Sequence, residues 1–206
     1  MITRVKICGI TNMDDAWSAV EAGAHALGFV FYEKSPRHIP LKIAANVCAA
    51  LPPFVSKVGV FVNELEYTIE KIIFECGLDT LQFHGDEPPG FCQKFAPKAI
   101  KAFRLRNRED LRLLEDYDVD AWLLDSYSEE KRGGTGKPID WDFAIEAKKK
   151  GRPIILSGGL HVGNVVEAIR IVQPFAVDVS SGVESSPGKK DGVKICEFLK
   201  ACRKTA

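Results

Sequence analysis

A regular alternation of two kinds of segment constrains the fold of this chain more than any other feature of its sequence. Short apolar runs rich in β-branched residues alternate with longer segments of helical periodicity, in repeats of roughly 25 residues. Eight such repeats are typical of a (βα)8 barrel, in which parallel strands form an inner ring and helices cover it. The sequence therefore predicts an α/β fold, a TIM barrel formed by residues 1–206 as a single domain.

The predicted strands share short length and apolar composition; they are Val5–Cys8, Ala26–Phe31, Lys57–Val62, Thr80–His84, Ala99–Phe103, Ala121–Asp125, Pro153–Ser157 and Phe175–Ser180. The predicted helices share helical periodicity; they are Met13–Ala22, Lys42–Ala50, Leu65–Glu75, Pro89–Phe95, Glu109–Glu115, Asp140–Lys149, Val162–Ile171 and Val193–Cys202. A doubly wound open sheet is the main alternative, because it also alternates strands with helices. No GxGxxG motif follows a strand, which disfavours a dinucleotide-binding version of that sheet.

Strand periodicity predicts which side chains face the inside of the barrel. In the first strand Val5 and Ile7 share one face, which the helices should cover, so Lys6 and Cys8 should point inward. The same alternation directs a further set inward: Gln82, His84, Leu123, Asp125, Asp178 and Ser180. Because the first and last strands become neighbours when a barrel closes, we expect Lys6 and Asp178 to form a buried ion pair.

Cys8 and Asp125 each stand at the last position of a predicted strand, at the end of the barrel where such folds keep their chemistry. A thiol and a carboxyl facing each other there would form an acid–base pair. A thiol is mostly protonated at neutral pH, so Cys8 would need a stabilised thiolate, which Lys6 or a helix N-terminus could supply. Buried cysteine is also a common core residue, and His84 is at least as well explained by a structural role.

Glycine-rich segments follow the last three predicted strands and suggest a phosphate site. Their residues of interest are Gly134 and Gly136, then Ser157, Gly158 and Gly159, then Ser180, Ser181 and Gly182. Successive free backbone N–H groups in such loops bind anions, although any one segment alone is more typical of a tight turn. Arg37, in the loop after the second strand, carries a planar guanidinium suited to a carboxylate.

Composition argues against several classes of function. The 28 Lys and Arg residues equal the 28 Asp and Glu residues, so no net field favours nucleic acid or membrane as a partner. The cysteines form no CxxC pair and the histidines lie far apart, so we expect no metal site. Charged Arg4 and Lys6 interrupt the opening apolar residues, and no stretch is long enough to span a bilayer. These features predict a cytoplasmic protein with reduced cysteines.

Ordered motifs across nearly the whole chain resemble the phosphoribosylanthranilate isomerase family of tryptophan biosynthesis. The resemblance is carried by Lys6–Thr11, Gly28–Phe31, Ser35–Arg37, Val58–Asn63, Gln82–Gly85, Leu124–Asp125, Gly133–Lys137, Leu156–Leu160, Val177–Glu184 and Pro187–Asp191. It implies that Cys8 is the general base, Asp125 the general acid and Arg37 the residue that holds the anthranilate carboxylate. It also implies an Amadori rearrangement of a small-molecule substrate, without metal or organic cofactor, with His84, Asp178 and the glycine segments contacting that substrate.

Two other readings stay open at this point. One is a related phosphosugar barrel. The isomerase of histidine biosynthesis would be expected to use paired aspartates, and indole-glycerol-phosphate synthase a lysine and a glutamate. A non-catalytic phosphate-binding barrel would be expected to lose one of Cys8, Asp125 and Arg37, all of which are present. The sequence leaves open whether the protein is a monomer or a homodimer.

Overall fold

Eight parallel strands close into a barrel in the order of the chain, in a computed structural model that describes residues 3–95, 99–126 and 141–205. The strands are β1 Arg4–Cys8, β2 Ala26–Val30, β3 Ser56–Phe61, β4 Thr80–Phe83, β5 Ala99–Arg104, β6 Ala121–Asp125, β7 Ile154–Leu156 and β8 Ala176–Val179. The closing pair is β1 with β8, in a register that sets Lys6 opposite Asp178. The predicted (βα)8 barrel is confirmed, and the open sheet is excluded because its edge strands would stay unpaired.

Helices follow the strands and cover the outside of the barrel. They are α1 Met13–Ala22, α2 Leu41–Ala50, α3 Glu66–Cys76, α4 Pro89–Gln93, α5 Trp141–Lys148, α6 Val165–Val172 and α7 Gly192–Arg203. The Asn12 side chain caps α1 by accepting a hydrogen bond from the Asp15 amide at 2.8 Å. Gly23 ends α1 in the left-handed region, at a φ of 93°, where a side chain would be strained. Of the described helices, none is long and apolar enough to cross a membrane.

Three local features differ from the sequence prediction. The segment between β5 and β6 is a 3₁₀ helix, Arg108–Asp116, rather than an α-helix. Its buried residues, Leu111 and Leu114, are three apart, which matches the three-residue turn of that helix. The helix after β7 begins at Val165 instead of Val162, because the Asn164 side chain bonds the backbone of residues 159 and 161 and holds the loop. A short hairpin of β9 Glu184–Ser186 and β10 Lys189–Lys190 follows β8 and was not predicted.

The inner and outer faces of the strands have different compositions. The floor of the barrel interior is filled by an apolar layer of Ile100, Ala102, Ala121, Leu123, Ile155 and Ala176. Val5 and Ile7 belong instead to the larger core between strands and helices. The predicted alternation is therefore confirmed, and the polar inward residues lie above the floor layer. That the chain forms a single domain over its whole length stays a prediction.

Candidate active site

A cavity of about 590 Å³ opens at the carboxyl ends of the strands. It brings together most of the residues predicted from the sequence: Cys8, Arg37, His84, Asp125, Ser157, Gly158, Gly159, Asp178, Ser180 and Ser181. Gly182 does not line it, since this glycine packs against the backbone oxygen of Leu160, which a Cβ would approach to 2.0 Å. Gly134 and Gly136 lie outside the described residues. A thiol, a carboxyl and two glycine-containing loops therefore line one open cavity.

Cys8 is buried beside the ion pair formed by Lys6 and Asp178. The Lys6 Nζ lies 2.8 Å from Asp178 Oδ1, and both side chains are almost fully buried, so the predicted pair is confirmed. Burial alone would lower the pKa of Lys6, but Asp178 and Cys8 raise it above its ordinary value. Burial raises the pKa of the Cys8 thiol, and the charge of Lys6 is the strongest opposing influence. Lys6 is therefore a permanently charged partner for the thiol.

Gly28 makes room for this arrangement. It pairs with Cys8 across β1 and β2, and its missing side chain leaves a gap that the neighbouring residues fill. A Cβ there would lie 2.8 Å from the Cys8 Sγ and 3.0 Å from the Lys6 Cε. The thiol and the lysine can approach each other only because residue 28 is glycine.

Among the cavity-lining residues that the structure describes, Asp125 is one of two carboxyls, the other being Asp178, and 4% of the residue is exposed. Its Oδ1 accepts a hydrogen bond from the Ser126 amide at 2.8 Å. Its Oδ2 lies 3.2 Å from the His84 Nε2, close enough for an ion pair but not aligned as a hydrogen bond. On the other side of the ring, the Gln82 Nε2 lies 2.9 Å from the His84 Nδ1. Gln82 was predicted to point inward but not to belong to the site.

The Arg37 guanidinium is held by the side-chain carboxylate of Glu184, on the hairpin that follows β8. Its Nε and Nη2 donate to the two oxygens of Glu184 at 2.8 and 2.7 Å, a two-point contact that fixes the plane of the guanidinium. The Lys190 Nζ donates to the same carboxylate at 2.8 Å. Burial raises the pKa of Glu184, but the bonds from Arg37 and Lys190 outweigh it and hold the pKa below its ordinary value. Sequence reasoning missed both Glu184 and Lys190, because neither precedes or follows a barrel strand directly.

The loops after β7 and β8 present backbone amides beside polar side chains. Gly158 and Gly159 both have left-handed φ angles, 81° and 65°, which turn successive N–H groups to one side. A Cβ on Gly158 would lie 2.4 Å from the Ser126 amide nitrogen, so only glycine fits there. The Ser157 Oγ donates to Asp178 Oδ2 at 3.3 Å, and the Lys190 Nζ donates to the Ser180 carbonyl at 3.2 Å. This geometry suits a small anion.

The side chains that line the cavity include groups able to give and take protons. Within residues 3–95, 99–126 and 141–205, no three His, Cys, Asp or Glu side chains are grouped as metal ligands. The cavity walls carry a thiol, a carboxyl and an imidazole, which can take part in proton transfer, beside cationic side chains.

Comparison with known proteins gives four consistent likenesses. Residues 5–201 match the family model described as N-(5'phosphoribosyl)anthranilate (PRA) isomerase. The N-(5'-phosphoribosyl)anthranilate isomerase of Citrifermentans bemidjiense is 52% identical over 206 residues, which cover 100% of this chain and 99% of that protein. A phosphoribosyl anthranilate isomerase solved with reduced 1-(o-carboxyphenylamino)-1-deoxyribulose 5-phosphate is 44% identical, with a TM-score of 0.88 and coverage of 98% and 99%. Monomers generated from the dimeric enzyme of Thermotoga maritima are 42% identical, with the same TM-score and coverage.

Proposed function

Because this chain belongs to the N-(5'-phosphoribosyl)anthranilate isomerase family, we propose that Cys8 and Asp125 are the general base and general acid of its reaction. The enzyme isomerises N-(5'-phosphoribosyl)anthranilate to 1-(2-carboxyphenylamino)-1-deoxyribulose 5-phosphate, in tryptophan biosynthesis. This rearrangement moves hydrogen within one molecule and leaves its oxidation level unchanged. It requires groups that give and take protons at defined atoms.

In the first step Asp125 donates a proton to the ring oxygen of the furanose. The C1'–O4' bond breaks, and the nitrogen lone pair forms a C1'=N double bond, which gives an open-chain Schiff base. Asp125 is suited to this role because it is buried in the cavity wall and its Oδ1 is fixed by the Ser126 amide.

In the second step the Cys8 thiolate removes the proton on C2'. The electrons of that C–H bond form a C1'=C2' double bond, and those of C1'=N return to nitrogen, which gives an enolamine. The Cys8 proton then goes to C1' and the proton of the C2' hydroxyl goes to Asp125, so both groups regain their starting states. Burial raises the pKa of Cys8, and the charges of Lys6 and Lys190 oppose that rise and favour the thiolate.

The two ends of the substrate need separate anchors. We assign the phosphate to the loops of Ser157–Gly159 and Ser180–Ser181, whose amides suit an anion. We assign the anthranilate carboxylate to Arg37. Glu184 binds the Nε–Nη2 edge of the Arg37 guanidinium, so Nη1 is left for the substrate. His84 and Asp178 line the same cavity. Holding both ends brings C2' and the ring oxygen to the two proton-transfer groups.

The observation that carries this assignment is that Cys8 and Asp125 line one cavity together with the glycine loops. The test is the loss of substrate fluorescence with purified enzyme, compared among wild type, Cys8→Ala and Asp125→Asn. We expect turnover to fall by at least about 10²-fold in each variant, with substrate binding nearly unchanged. Cys196→Ala, which changes a thiol on α7 that does not line the cavity, is the matched control. Near-normal turnover of either site variant would refute the assigned role.

We also infer that two copies of this chain associate. The Thermotoga maritima relative is dimeric. On the loop between α2 and β3, the Phe54 side chain is fully exposed to solvent, and its backbone has a left-handed φ of 70°, which is sterically unfavourable for a bulky residue. Light scattering should give the dimer mass for wild type and the monomer mass for Phe54→Asp. A wild-type monomer at micromolar concentration, or a dimeric variant, would contradict this inference.

We infer a cytoplasmic location from the state of the cysteines. All six are free, and five of them are buried. Reduced thiols are typical of proteins that work in a reducing compartment. Fractionation of expressing cells would test this, and recovery outside the cytoplasm would contradict it.

A further inference from the structure

Within the part of the chain that the structure describes, the carboxamide of Gln82 has one hydrogen-bond partner, and no second contact fixes its orientation. Gln82 lies on β4, two residues before His84, lines the cavity and is 1% exposed. Among the described residues, its Nε2 contacts only the His84 Nδ1, and its buried Oε1 has no hydrogen-bond partner. Buried amide oxygens are normally bonded, so an unpartnered one needs an explanation.

The orientation of this carboxamide is linked to the proton on His84. When the Gln82 Nε2 faces the ring, Nδ1 accepts a hydrogen bond, so the ring proton of neutral His84 is on Nε2, toward Asp125. When Oε1 faces the ring, Nδ1 carries the proton. The His84 Nε2 then carries no proton, and a small rotation of the two side chains, whose atoms lie 3.2 Å apart, lets it accept a hydrogen bond from a protonated Asp125. The second orientation lets neutral His84 accept the hydrogen bond of a protonated Asp125, whereas the first leaves no acceptor on the ring for it.

We propose that Gln82 is a positioning residue that turns its carboxamide over as the pair of His84 and Asp125 gains and loses its catalytic proton. The orientation with Nε2 toward the ring belongs to the state after Asp125 has given its proton to the substrate. The orientation with Oε1 toward the ring belongs to the loaded state. The inference rests on the proposed role of Asp125 as general acid and adds the device that keeps its proton in place.

The other charged groups around His84 are paired with each other. On β5, Arg104 lies in register with Asp125 and is 4.0 Å from Asp86. The Lys101 Nζ donates to Glu87 and to the Gly85 carbonyl, each at 2.8 Å, behind the loop that follows His84.

Beyond β4 and β5, the cavity walls carry other charged or titratable groups: Cys8, Lys34, Arg37 and Asp178. Of the described residues, Asp125 and Gln82 are the ones whose polar side-chain atoms contact the His84 ring nitrogens, at 3.2 and 2.9 Å. Gln82 is thus the neutral group placed to respond to the proton on this ring.

The test uses two substitutions of similar size. Gln82→Glu provides only acceptor oxygens, so it should favour the proton on Nδ1 and move the alkaline limb of the kcat profile to higher pH. Gln82→Met provides neither donor nor acceptor, and we expect kcat to fall about tenfold while KM changes less than about threefold. Gln93→Glu, at the exposed end of α4, introduces the same charge as a control and should leave both quantities unchanged.

A spectroscopic measurement separates this role from a purely structural one. Nitrogen-15 NMR of histidine-labelled enzyme distinguishes the Nδ1–H and Nε2–H forms, and the chain has only four histidines, so His84→Gln identifies the signal. We expect the Nδ1–H form in wild-type enzyme that holds its catalytic proton and the Nε2–H form on the alkaline limb, where that proton is lost, whereas Gln82→Glu should keep the Nδ1–H form on both. The proposal is overturned if the His84 signal and the pH profile of Gln82→Glu match those of wild type.

Failure of this inference is distinguishable from failure of the proposed function. Asp125→Asn is measured in the same series. If Asp125→Asn retains normal turnover, the assigned general acid is wrong. If that variant is inactive while both Gln82 variants behave as wild type, only the role of Gln82 is refuted.

Discussion

Substitution of Gly28 by alanine tests whether the proximity of Cys8 and Lys6 sets the rate. Gly28 does not have a left-handed φ, so alanine fits its backbone and the effect is steric alone. The added Cβ would lie 2.8 Å from the Cys8 Sγ and 3.0 Å from the Lys6 Cε. Both side chains must therefore move, and the two groups that move are the proposed base and the cation that favours its thiolate.

The size of the effect follows from these distances. Ordinary contact begins near 3.4 Å, so the Sγ must retreat by about 0.6 Å. A misplacement of about 1 Å at a reacting group costs about 10²-fold in rate, so we expect kcat to fall about 10- to 100-fold. Overpacking of this kind costs about 1–3 kcal/mol in the free energy of unfolding, which leaves a folded enzyme in a domain of ordinary stability.

Three measurements check this prediction: kcat from the fluorescence assay, urea unfolding, and the pH dependence of Cys8 alkylation by iodoacetamide. Alkylation should require higher pH in Gly28→Ala, because a displaced Lys6 favours the thiolate less. Gly90→Ala makes the same change on α4, where a Cβ meets nothing within 4 Å, and should be neutral. A Gly28→Ala enzyme with kcat within about twofold of wild type would refute the steric reasoning.

Three further predictions concern the buried charges. Lys6→Met should lower kcat at neutral pH. It should also lower the free energy of unfolding by about 3–5 kcal/mol, because it leaves Asp178 buried without its cation. Equal stability of variant and wild type in urea would contradict this. Arg37→Ala should raise KM by at least about tenfold with a smaller change in kcat. Arg37→Lys should not restore KM, since lysine lacks the planar edge by which Glu184 holds the Arg37 side chain. An unchanged KM would contradict the anchoring role. The pKa of Glu184 in the folded protein is held below its ordinary value of 4.5, so this carboxylate contributes stability above that pH, and the contribution is lost as the pH falls through the lower folded value. Glu184→Gln should therefore flatten the acid side of the stability curve, and an acid transition identical to that of wild type would show that Glu184 has no part in it.

The sequence was sufficient for the features that depend on local periodicity. Two-residue alternation placed Lys6, Cys8 and Asp125 on the inner face, and the βα repeat predicted the closed barrel. Closure of the ring then made β1 and β8 neighbours, so the ion pair of Lys6 with Asp178 could be predicted although 172 residues separate them. Each of these predictions follows from the geometry of a strand or of a barrel.

Only the tertiary structure decided which side chains meet outside that regular framework. Arg37 and Glu184 are 147 residues apart, in loops with no period, and no rule of spacing pairs them. The contact of Gln82 with His84 and the gap at Gly28 depend on differences of a few tenths of an ångström in the distances between neighbouring side chains. Periodicity in the sequence fixes the direction of a side chain along a strand, whereas its partner depends on how distant loops pack, which no local pattern encodes.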